Sequence, residues 1–91
     1  AESKEATFSF IRITVDRVFG ILEKYKRMSK RPEDFPEYNE NKVKHVVQDL
    51  KNSIEGLNNI KSTYREFVKF CCDIETIIEE IHSRIEAMKI E

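Results

Sequence analysis

Tryptophan is missing from this chain, and glycine, proline, cysteine and methionine occur only twice each in 91 residues. So few turn formers exclude a many-stranded sheet and leave long helices joined by few connections, an all-α class. The two cysteines, Cys71 and Cys72, are neighbours. Adjacent residues on a helix point about 100° apart, a poor geometry for a disulfide, so no disulfide framework is expected and a reducing, cytoplasmic setting is. Charge of one sign is not in excess either: 16 basic residues stand against 17 acidic ones. That balance sets up no overall field drawing nucleic acid or an acidic substrate, so neither nucleic acid nor membrane is an expected partner. The apolar runs are far too short to span a bilayer, and no charged-then-apolar-then-small segment suggests secretion.

Patterns that carry chemistry are equally sparse. There is no glycine-rich phosphate loop, no nucleophile in a strained turn, and no pair of carboxylates in an apolar setting, so no enzymatic activity and no cofactor are expected. Glu79 and His82 stand one helical turn apart, the spacing by which one helix gives two ligands to a di-iron bundle. Such a site needs a second pair, and the other histidine, His45, has Lys42 in the corresponding place. No metal site is expected. Cys71 falls on an apolar helix face and Cys72 about 100° away, and neither has a histidine at helical spacing to activate it.

What the chain does have is apolar periodicity. Phe8, Ile11, Val15, Val18, Leu22 and Tyr25 recur every three or four residues, which predicts a first helix over about 7–30. Phe10, Ile21 and Met28 widen one flank of that seam and Phe19 the other, while Ile13 lies outside it. The face then covers roughly half the helix circumference, more than one neighbouring helix can cover. Pro32 ends the helix, and 31–36 forms the first connection. Asp34 with Glu37 is a candidate capping box for a second helix over about 37–57, with Asn39 as the cap of a later start. Val43, Val46, Val47, Leu50, Ile54 and Leu57 make the second apolar face, and Phe67, Phe70, Cys71, Ile74, Ile77, Ile78, Ile81, Ile85 and Met88 the third.

Between the second and third faces, the segment SIEGLNNIKST sets two signals against each other. Gly56 costs about 1 kcal/mol relative to alanine in a helix, and the asparagine and hydroxyl residues around it cost roughly half that each. Asn58 or Asn59 suits a helix end, and Thr63 with Glu66 a helix start. Against a break, the three-four register runs on from Val43 through Leu50, Leu57, Ile60, Tyr64 and Phe67 without a slip. The breadth of the first helix favours the break. The expected architecture is one domain over 1–91, an antiparallel three-helix bundle with a third helix over 62–90 and a connection at 58–61. The alternative is a hairpin whose long C-terminal helix pairs with another chain.

Two surfaces are candidates for function. Isoleucine at successive seam positions, Ile74, Ile77, Ile78, Ile81 and Ile85 with Met88, suits either core or a surface for another protein, a helical segment of one, or a second copy. The basic cluster Lys24, Lys26, Arg27, Lys30 and Arg31 is a possible anion-binding patch for phosphates or acidic lipid. Cations also gather at a helix C-terminus because its carbonyls carry partial negative charge. Ser29 within the cluster resembles a basophilic kinase site. The function these features imply is a non-enzymatic helical interaction module: a scaffold, tether or adaptor domain with coiled-coil-like surfaces.

Overall fold

A computed structural model describes residues 3–89. Helix α1 covers Lys4–Ser29, α2 covers Glu40–Thr63, and α3 covers Val68–Met88, with a single 3-10 turn at Pro32–Asp34. No strand occurs among the described residues. The hydroxyl of Ser3 accepts a bond from the Ala6 N–H at 3.0 Å and so caps α1. Asn39, not the Asp34 and Glu37 pair, caps α2: its side chain accepts from the Asn41 N–H at 2.8 Å. Glu37 therefore lies before the helix, because the 3-10 turn at Pro32–Asp34 and a further turn consume the residues expected to start it.

The expected break at 58–61 is corrected. Gly56, Asn58, Asn59 and Ser62 are all helical, and α2 ends only at Thr63. Leu57 is buried and Ile60 half-buried against the core, and their burial outweighs the local propensity cost. The chain reverses at 64–67 instead, six residues later than the start of the expected turn. Thr63 is the last residue of α2 and makes no capping box with Glu66. Phe67 becomes the residue before α3, nearly half exposed, so it drops out of the expected core. The ring of Tyr64 packs edge-on against buried Phe70 at 5.4 Å between centroids, and the Cys71 thiol donates toward the carbonyls of Lys61 and Tyr64 at 3.4 and 3.2 Å. These contacts hold the last turn of α2 against the first turn of α3.

The helices run up, down and up, so α1 and α3 are parallel to each other and antiparallel to α2. The closed bundle is the architecture, and the long hairpin helix is not. Val15, Phe19, Leu22, Val43, Val47, Leu50, Leu57, Phe70, Ile74, Ile77, Ile78 and Ile81 form one continuous core along its length. Phe19, Leu22, Ile74 and Ile81 are almost wholly withdrawn from water, each stabilising the fold by about 1.5–3 kcal/mol. The molecule measures 51 × 23 × 17 Å. Helices α2 and α3 pack most extensively on each other, and α1 less so on either.

Candidate partner-binding face

The isoleucines of α3 lie inside the single-chain core. Ile74, Ile77, Ile78 and Ile81 are buried, and Ile85 and Met88 are half-buried against the same cluster. As a partner surface Ile74, Ile77, Ile78 and Ile81 are corrected, because α1 and α2 already cover them, while Ile85 and Met88 stay partly open at the end of the bundle. The physical reason is the closed topology, which returns α3 onto the broad face of α1.

The basic cluster is divided by the geometry of α1. Lys26, Arg27 and Lys30 are exposed and share a depression with Glu23, Ala87 and Met88 at one end of the bundle. Arg31 is held by Asp34 at 2.7 Å. Lys24 is not among the residues lining that depression and lies on the outer flank with Phe10, Arg17 and Ile21. Ser29 is the last residue of α1, and its hydroxyl donates to the Lys26 carbonyl at 2.6 Å.

The flank of α1 facing α3 is a polar network. Arg12 donates two hydrogen bonds to the Glu80 carboxylate, one of them at 3.0 Å. That bond holds the Glu80 carboxyl below the usual carboxylate range and raises the Arg12 guanidinium further, against a smaller opposing effect of partial burial. Arg84 lies 3.3 Å from Asp16 and 3.7 Å from Glu23, with its guanidinium 4.1 Å over the Phe19 ring. The acids of this flank are thus spoken for.

The opposite flank is apolar. Phe10, Ile11, Thr14, Val15 and Val18 of α1 and Asp49, Leu50, Ser53, Gly56, Leu57 and Ile60 of α2 line a groove of about 380 Å³. Phe10 stands at its edge 71% exposed, and Ile13 and Ile21 on the same stripe are 57% and 42% exposed. The floor is open at Ser53 and Gly56, which present almost no side chain, and a Cβ added at Gly56 would meet nothing within 4 Å. Chemically the groove offers apolar contact and one carboxylate, with no nucleophile beside a base. Among the described residues no group of three or more His, Cys, Asp or Glu could hold a metal ion. His82 and Glu79 are both exposed. No helix is long and apolar enough to cross a membrane among the described residues.

Sequence reasoning placed Phe10 and Ile21 on the flank of the core seam and set Ile13 aside as a lone exposed residue. The missed signal is a second three-four stripe on each helix: Phe10, Ile13, Arg17, Ile21 and Lys24 on α1, and Lys42, Val46, Asp49, Ser53, Gly56 and Ile60 on α2. Comparison with protein-family models, with curated proteins and with solved structures finds no match to this chain.

Proposed function

We propose that the protein is a non-enzymatic helical interaction module, a scaffold, tether or adaptor domain, that takes a helical segment of a partner protein into the groove between α1 and α2. The observation that carries this reading is the aligned exposure of Phe10, Ile13 and Ile21 beside an open apolar groove. Isolated exposed apolar residues are ordinary on a small domain, whereas a contiguous stripe bordering a concave apolar channel marks a binding surface. A helix laid there would turn the three-helix bundle into a four-helix one, burying residues already spaced for helix packing.

The anion-surface alternative at 24–31 has less support. Arg31 is engaged by Asp34, Glu23 lines the same depression as Lys26, Arg27 and Lys30, and Lys24 faces elsewhere. The test of the preferred reading is binding of synthetic amphipathic helices of acidic, basic and neutral flank to the whole chain, followed by amide chemical-shift mapping. Shifts at the α1 and α2 groove with any of the three, lost in a folded Phe10→Ser, Ile13→Ser double variant, support an interaction module. If no helix binds and the groove amides do not move, the reading is wrong.

A further inference from the structure

We infer that the occupant of this groove is an amphipathic helix with acidic flanks, docked as a fourth helix along α1 and α2; the inference rests on the interaction reading above. Charge is distributed unevenly around the bundle. The acids of α1 are turned toward α3, where Asp16 and Glu23 meet Arg84. Its cations on the other flank, Arg17 and Lys24, are exposed and have no ion-pair partner among the described residues. Lys42 on the matching stripe of α2 is likewise exposed and unpaired among the described residues. Asp49 is the one carboxylate among the residues that line the groove.

The free flank is therefore cationic on a chain whose total charge is close to zero, so the bias is local and belongs to this surface. Charges at the rim of an apolar seam select partners and orientation more than they add affinity, as the flanking positions of coiled coils do. Carboxylates flanking the incoming apolar stripe meet Arg17, Lys24 and Lys42. A lysine-flanked helix meets the same three as like charges.

Length and floor agree with a helix. Residues 10–24 span roughly 21 Å at 1.5 Å per residue, so about four turns of a partner cover the stripe. Helices pack 8–10 Å apart according to the side chains between them, and the missing side chain at Gly56 with the small one at Ser53 permits close approach. A second copy of this chain fits less well. Two-fold pairing of this face sets three cations and the single carboxylate of Asp49 against the same set, a net like-charge contact.

The experiment uses the whole chain and two synthetic helices of about 18 residues with one leucine stripe, flanked by glutamate in one and lysine in the other. Binding is measured by titration calorimetry near physiological salt, with amide mapping of the contact. The inference expects the acidic helix to bind at least tenfold tighter, at the α1 and α2 groove, with affinity that falls as salt rises. It also expects Arg17→Glu, Lys24→Glu, Lys42→Glu to reverse the preference. Because all three residues are exposed, helicity should be retained; Gly56→Leu supplies a second variant, filling the groove without altering charge and weakening the acidic helix at least tenfold. Equal binding of both helices at the groove overturns the acidic partner and leaves the interaction module standing. No binding of either overturns both. Concentration-dependent dimerisation abolished by Phe10→Ser also overturns the inference, by making the occupant a second copy.

Discussion

Arg12 on α1 and Glu80 on α3 are joined by two side-chain hydrogen bonds across 68 positions of sequence, linking the two parallel helices side by side. Because the bond lowers the folded-state proton affinity of Glu80, its contribution is present above the unfolded carboxyl value, about 4.3, and is lost as pH falls through the lower folded value. Both side chains remain about one-third exposed, which confines the pair to the surface range. Glu80→Gln should therefore cost about 0.5–1 kcal/mol at pH 7. Urea unfolding at stepped pH checks it: the gap between variant and parent closes below about pH 4.

The same pair shows where the sequence was silent. Arg12 is legible as a polar position outside the first seam, but only the closed topology brings Glu80 to it. The class, the three helices and the end of α1 followed from periodicity and from Pro32, because those signals are local; the start did not, since the Ser3 cap begins α1 at Lys4, three residues before the expected 7. The reversal did not: Gly56, Asn58 and Asn59 carry every local mark of a turn, yet burial of Leu57 and Ile60 keeps them helical. The groove was half visible. Its stripes can be read at three-four spacing, but that they lie open rather than covered depends on how closely α1 settles against α2.

Gly56 remains the weak point of α2 by propensity. It sits mid-helix with nothing within 4 Å of an added Cβ, so alanine there brings no clash. Gly56→Ala is expected to stabilise the chain by about 1 kcal/mol, raising Tm by roughly 4–8 °C. Thermal melting followed by circular dichroism measures this. An unchanged or lowered Tm would show that α2 does not pass through this residue as a regular helix.

Placement of the α3 isoleucines in the core makes a further contrast. Ile78 is buried, and a carboxylate there has no partner to offset its desolvation, so Ile78→Glu should unfold the chain rather than release a monomer from a dimer. Ile85 is half-buried at the edge, where a glutamate side chain can reach water, and Ile85→Glu should be milder. Circular dichroism with sedimentation equilibrium separates the cases. A helical monomer from Ile78→Glu and a dimeric parent would contradict the single-chain core.

Phe10 and Phe19 lie nine residues apart on one helix and have opposite surroundings. Phe19 is fully buried, with Arg84 stacked 4.1 Å from its ring centre and the Arg84 side chain tied in turn to Asp16 and Glu23. Truncation to alanine opens a cavity where α1 meets α3 and removes the platform that orients Arg84, a loss of about 3–5 kcal/mol. A domain of this size has only about 5–14 kcal/mol in total, so Phe19→Ala should survive with a fraction of its stability or not at all. Phe10 is 71% exposed at the edge of the groove. Phe10→Ala should stay within about 0.5 kcal/mol of the parent, and its effect should appear only when a helix occupies the groove. Denaturant unfolding of both variants, with and without the acidic helix, reads the two roles separately: Phe19 holds the bundle together, and Phe10 is available to a partner.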